Sequence, residues 1–245
     1  MLFISPIALG MGLWGLGKYL WGGDEMDGLV RALLGIVLAL YSFAVGSLHA
    51  EGYRRFPLRK ASMTKAVSNC RQIDIALRAY ASDHDGRYPD AAVAHPRNSN
   101  ELFRKLFTEE YLSDERIFGC PMSGAVPDGN IGQPPDFLEA LKRGENHWAM
   151  TKGLTDASPP SMPLVFENPA VATWPPKWNV DEVETPRPGR VWKGGKVIIG
   201  FNDGSAEMMP LQSAGGAAVG LAPRADGTPV FPDVHPAPEI LNVER

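Results

Sequence analysis

The stretch Ser68–Pro89, "SNCRQIDIALRAYASDHDGRYP", decides how the chain is read. Val67, Cys70, Ile73, Leu77 and Tyr80 recur at intervals of three and four residues, the apolar stripe of an amphipathic helix. Arg71, Asp74 and Arg78 fall between them and are expected to face water. Beyond Tyr80, the residues Asp83, Asp85 and Gly86 offer two readings, an acidic calcium loop or the turn that stops a helix. An EF-hand loop needs oxygen ligands at its first, third and fifth positions, Gly at the sixth and a bidentate Glu at the twelfth. With Gly86 sixth, the first position is Ala81, the ninth Pro89 and the twelfth Ala92. Without those ligands the turn is the better reading.

Working outward, the N-terminal side is apolar. Met1–Gly17 and Ala32–Leu48 carry no charged residue, and each approaches the roughly 20 residues a bilayer span requires once its flanks are included. Gly35, Ala39, Ser42 and Gly46 share one helix face, as do Ala8, Gly12 and Gly15, and such small-residue faces let membrane helices approach closely. The link "WGGDEMDG" could close a hairpin between two spans. The first run lacks the basic flank of a secretory leader and is not read as cleaved. Gly10–Gly15, "GMGLWG", matches a dinucleotide fingerprint, but inside an apolar run with no preceding strand it reads as membrane packing. Arg54, Arg55, Arg59, Lys60 and Lys65 form a basic collar suited to lipid headgroups.

On the C-terminal side, Asn98 and Glu101 have the spacing of a capping box ahead of Leu102, Phe103, Leu106 and Phe107, which predicts a second helix. "PPDFLEALKRG" predicts a third, with Pro135 in its first turn and Gly144 as its stop. "MPLVFEN" reads as a strand, and "KVIIGF-NDG-SAEMM" as a hairpin turning at Asp203-Gly204. Residues 213–245, rich in Gly, Pro and Ala, read as a loosely ordered tail. The expected divisions are 1–50, one or two membrane helices; 51–90, juxtamembrane segment and stem helix; 91–212, head; and 213–245, tail.

Chemistry is sparse at this level. The chain has 245 residues and a net charge of -4, which gives no nucleic-acid signal. The five histidines, at 49, 84, 95, 147 and 235, lack ligand spacing, and hydrolase and phosphate-loop motifs are absent. His147 in "ENHWAM" stands out beside Trp148, yet a packed histidine is the default. Cys70, on the apolar stripe, reads as an inert core thiol, and whether Cys120 pairs with it is open. No catalytic, cofactor-binding or metal residue is assigned, no cofactor is expected, and the protein is expected not to be an enzyme.

The same residues resemble a known family. Gln72, Ile73, Ala76, Leu77, Tyr80, Asp83, Gly86, Tyr88 and Pro89 match, in place, the helix-to-head junction of bacterial type II secretion pseudopilins and related type IV pilin-like proteins. "NELFRKLFTEEYLSDERIFGCP" and "VIIGFNDGSAEMMP" look similar to later parts of such proteins, so that the resemblance covers roughly residues 62–211. The leader, its cleavage site and the acceptor glutamate of a pilin precursor are not found. The resemblance implies an α+β fold, N-terminal membrane helices and an amphipathic stem helix packed on a small antiparallel sheet. It implies a membrane-anchored pilin-like structural or interaction protein of the bacterial envelope, at the inner membrane with its head outside and associated with type II secretion. Its partners would be the lipid bilayer and other envelope or secretion-system proteins, with no nucleic acid. The alternative is a membrane-tethered sensor or ligand-binding module. The basic collar argues for a cytoplasmic head, against the resemblance.

Overall fold

The computed structural model describes residues 36–37, 61–120, 123–180, 189–192 and 194–244. The chain divides into two compact units, Met1–Ser62 and Met63–Arg245. In the first, the expected membrane runs lie outside the described residues, apart from Ile36 and Val37, which are helical and exposed.

Helix α1 occupies residues 61–83. Cys70, Ile73, Leu77 and Tyr80 are buried along one face, while Arg71 and Arg78 are exposed. Asp74 departs from the expectation of a water-facing acid, because it is fully buried. It turns towards Gly200, whose missing side chain leaves room for its carboxylate and for the Cys70 thiol. The helix ends at the opening motif. Gly86 N–H reaches back to Ala81 O over 2.8 Å, and Asp85 takes the left-handed conformation at φ 54°. Asp83 accepts from Tyr111 Oη at 2.7 Å, and Tyr88 Oη donates to Asn202 at 2.8 Å, which lays the departing chain against the sheet.

Helix α2, Ser99–Thr108, is capped by Asn98, whose side chain accepts from Glu101 N at 3.1 Å. Glu101 bonds the N–H of Arg97, at 3.0 Å, and also its guanidinium. Leu102, Phe103, Leu106 and Phe107 are buried, and Phe118 packs 5.1 Å from Phe103. The expected third helix does not form. Residues 134–144 are a chain of turns in which Phe137 and Leu141 have positive φ. Tertiary polar bonds hold this segment in place of a helical ladder: Leu141 N–H donates to Glu115, and Arg104 donates to the carbonyls of Ala140 and Leu141.

The strands are β1 (Trp148–Thr151), β2 (Pro163–Glu167), β3 (Trp178–Val180), β4 (Lys196–Phe201), β5 (Ala206–Pro210), β6 (Gly216–Val219) and β7 (Ile240–Leu241). Five make one antiparallel sheet in the order β5-β4-β2-β1-β7, and β3 pairs with β6 in a second, two-stranded sheet. The larger sheet is buried on both faces, which is why β2 and β4 read as near-continuous apolar runs. Trp148, Met150, Ile198, Ala206 and Leu241 join the helices on one side. Ala149, Phe166, Val197, Ile199 and Phe201 alternate with them and pack on the other side with Trp178 and Phe231. The β4–β5 hairpin turns through Asp203-Gly204, with Gly204 at φ 82°.

These elements correct the expected architecture. Among the described residues no helix is long and apolar enough to cross a membrane. Helix α1 has a polar face, and α2 has only 10 residues where roughly 20 are needed. N-terminal membrane helices carrying a stem on a small pilin-like sheet are therefore not what the described chain forms. With them go the membrane, pilin-like, pseudopilin and type II secretion descriptions and the inner-membrane, envelope localisation. Residues 213–244, read from composition as a loose tail, carry β6 and β7.

Candidate functional site

At the end of the sheet where β1 starts and β2 finishes, a polar cluster is buried. His147 immediately precedes β1, and Glu167 is the last residue of β2, placed opposite Trp148 by the strand register. Cys120 follows the 3-10 segment Glu115–Phe118 and bridges to Ala125 across a short turn.

Backbone bonds fix these positions. His147 N–H donates to Phe118 O at 2.9 Å, and Asn168 N–H donates to His147 O at 2.9 Å. The neighbouring Asn146 side chain accepts from Trp148 N at 2.8 Å and donates to Ser99 Oγ at 2.9 Å, tying this strand end to the first turn of α2. The side chain of Glu167 is fully engaged: Oε1 accepts from Trp192 Nε1 at 2.7 Å and meets His147 Nε2 at 3.1 Å, while Oε2 accepts from Ile198 N at 3.1 Å. On the other side of the imidazole, Nδ1 lies 2.7 Å from Ser123 Oγ and 3.0 Å from Asn168 Nδ2.

The protonation follows from these contacts. A carboxylate opposite Nε2 requires a proton there, so Nδ1 is the atom whose state varies. Asn168 is oriented by Gly189 N–H, which donates to its Oδ1, and it therefore turns its NH2 group towards Nδ1. Burial by itself pulls the imidazole pKa down, but the Cys120 sulfur and the Glu167 carboxylate outweigh it and raise the value to about 10.

Cys120, His147 and Glu167 each offer a donor atom, all within 4.8 Å of one another. Sulfur, imidazole nitrogen and carboxylate are the donor types that zinc takes. The set also has the parts of a nucleophile, base and orienting acid, with Cys120 2 % exposed, His147 0 % and Glu167 1 %. Glu115, Asp128 and Glu145 form another group within 4.8 Å, with Glu115 already accepting from the N–H groups of Gly129 and Leu141, and Glu145 from that of Lys142.

Of the residues weighed in the sequence, His147 and Cys120 come together. Cys70 is apart, a free thiol within 3.9 Å of Asp74 Oδ2 and of the Val165 carbonyl, and Cys120 is free as well. Burial, then the charges of Asp74 and Glu167, push the Cys70 thiol well up. His84 stacks on Tyr80 at 3.8 Å and meets Glu109 at 3.0 Å, and His235 sits beside Asp233 on the surface. Glu167 was missed: it ends an apolar strand, where a charged residue flanked by "LVF" is the available signal.

A second feature is open to solvent. A concavity of about 580 Å³ lies between the β3–β6 sheet and the following loop, lined by Pro175, Pro176, Val219, Leu221, Val230 and Phe231, with Lys177, Gln212 and Ser213 supplying polar atoms. Among the described residues, no histidine, cysteine or carboxylate lines it.

Fold and site thus define a two-faced antiparallel-sheet protein with a closed Cys–His–Glu cluster and an open apolar groove. The chain matches no family model, and no curated protein or solved structure proves significantly similar to it.

Proposed function

We propose that the protein is a non-catalytic structural or interaction protein that engages other proteins through the proline- and valine-lined groove. One observation carries this reading: the cluster that joins a nucleophile to a base lies apart from the concavity open to solvent. The cluster with nucleophile and base is closed, while the described lining of the open concavity is mostly apolar, with Lys177 its one titratable side chain beside Gln212 and Ser213. Prolines, a phenylalanine and the exposed strand β6 suit an extended apolar segment, with main-chain groups giving affinity and side-chain contacts giving selectivity. The volume also lies within the roughly 300–1,000 Å³ of small-molecule sites, which keeps a ligand-binding module as the second reading.

The test is site-specific photocrosslinking in the source cells. A photoreactive residue replacing exposed Gln212, beside the groove, should give discrete protein adducts that are absent when it replaces exposed Glu207 on β5. Equal labelling at both sites, or none, counts against the reading. Turnover of ester, peptide or phosphate model substrates that is lost in Ser213→Ala would overturn it in favour of an enzyme.

A further inference from the structure

We propose that Cys120, His147 and Glu167 form a buried site for a zinc-class divalent cation, bound through Cys120 Sγ, His147 Nε2 and a Glu167 carboxylate oxygen, with a water molecule as the fourth ligand. This inference does not depend on what the groove binds.

The donor set is mixed and buried, unlike a surface group of acids. Three side chains from three separated segments converge with donor atoms within 4.8 Å of one another. Tetrahedral zinc, with bonds of about 2.0–2.3 Å, holds such donors about 3.4–3.6 Å apart. The Nε2–Oε1 pair is already at 3.1 Å, and the sulfur is within 4.8 Å of its fellow donors, so closing to that spacing brings the sulfur inward.

The surroundings match what a ligated imidazole and carboxylate need. A metal-bound Nε2 leaves its proton on Nδ1, and Ser123 Oγ stands 2.7 Å away to accept it. Asn168 Nδ2, 3.0 Å from Nδ1, gives up that contact when Nδ1 carries the proton and keeps its bond to His147 O, at 2.9 Å. Trp192 Nε1 and Ile198 N–H fix the carboxylate in one orientation. Trp192, Ile198, Ser123 and Asn168 are all neutral groups. The ion pair of Glu167 among the described residues is with His147 alone, so once a metal takes the place of the Nε2 proton the carboxylate and a thiolate have no other cation beside them. A divalent ion supplies that charge.

The proton balance is explicit. Binding removes the thiol proton of Cys120, and from the imidazolium form it also removes the Nε2 proton. From the neutral form the imidazole proton moves to Nδ1. Glu167 enters as a carboxylate. Metal uptake therefore releases one or two protons to solvent, and affinity rises with pH.

The experiment uses the full chain and the metal alone. Cobalt(II) added to apoprotein should bind at one ion per chain and give the intense near-ultraviolet charge-transfer absorption of a thiolate ligand, together with tetrahedral visible bands. Zinc should displace it and raise Tm. Cys120→Ser should abolish the sulfur band, while Cys70→Ser retains it. Ser123→Ala removes no ligand and serves if Cys120→Ser does not fold. It should weaken zinc binding by about 10- to 100-fold, as loss of a supporting hydrogen bond to a ligand does. Titrations in buffers of different ionisation enthalpy should show proton release. The site is excluded if no thiolate–cobalt band forms, if the band survives Cys120→Ser or vanishes in Cys70→Ser, or if Ser123→Ala binds zinc as tightly as the parent.

Discussion

Gly200 lies mid-strand in β4 with no left-handed backbone requirement, so Gly200→Ala tests packing alone. An added Cβ would stand 2.8 Å from Cys70 Sγ and 2.9 Å from Asp74 Cγ, with Asp74 Oδ2 nearer still. All three atoms belong to side chains at the α1–sheet contact, where Cys70 and Asp74 are both fully buried. Neither can swing into water, so helix and strand must separate slightly or the two side chains must leave their rotamers. Overpacking of this kind costs about 1–3 kcal/mol. For a unit of this size, about 2 kcal/mol lowers Tm by about 4–8 °C. Differential scanning calorimetry of the full chain measures the shift. The control is Asp74→Ala in the Gly200→Ala background, which removes the nearest obstacle, so that the double variant should lose less than the sum of the singles. Gly200→Ala melting with the parent, or strict additivity in the cycle, would show that α1 does not contact β4 at this point.

Burial raises the Asp74 carboxyl well above its usual range, with Asp203 adding to this and Arg78 opposing it. A raised value means that ionisation works against folding above the ordinary 3.8, so Asp74→Asn should raise Tm at pH 7 and the gain should vanish as pH falls through 3.8. Asn202→Ala removes the acceptor of Tyr88 Oη and the donor to Ser158 O at 2.8 Å and Thr155 O at 3.1 Å. Stranding the buried Tyr88 hydroxyl should cost roughly 1–3 kcal/mol, and the half-buried carbonyls less, measured by urea denaturation. For His147, the folded pKa of about 10 exceeds the ordinary 6.5, so its contribution is fully present below pH 6.5 and is lost as pH rises through 10. Urea midpoints for metal-free protein should fall across that window, and the fall should be smaller in His147→Gln.

Local signals were the ones legible in the sequence. The stripe through Ile73 and Leu77 and the Asn98 cap depend on neighbours within a turn, and the Asp203-Gly204 hairpin on a few residues more. Those are distances at which spacing carries information. Asp74 was misread because its partner is an absence, a glycine more than a hundred residues away in β4. The helical reading of residues 134–144 failed because Glu115, Asn100 and Arg104 bond that backbone from outside it. The membrane reading rested on apolar runs whose residues lie almost wholly outside those described. The cluster stayed hidden for a related reason. Cys120, His147 and Glu167 share no helical or strand period, and the β1–β2 register and the Phe118–His147 backbone bond bring them together. Composition concealed β6, whose Gly and Ala carry little strand propensity, and β7 is only the pair Ile240–Leu241 within a Pro-rich stretch, too short for a pattern.

The place of β7 at the sheet margin has a temporal consequence. Thr151 finds its outer partner only when Ile240 arrives, and the N–H groups of Ser99 and Lys152 wait for the carbonyls of Asn242 and Glu239. At a synthesis rate of roughly 5–20 residues per second, that is a delay on the order of ten seconds. Through that interval β1 presents unpaired main-chain donors and acceptors, a template to which another nascent chain can add a strand. The vulnerable moment of this protein is therefore during its own translation, and a chaperone that shields β1 until residue 242 has emerged would act where the chain is most exposed to mispairing.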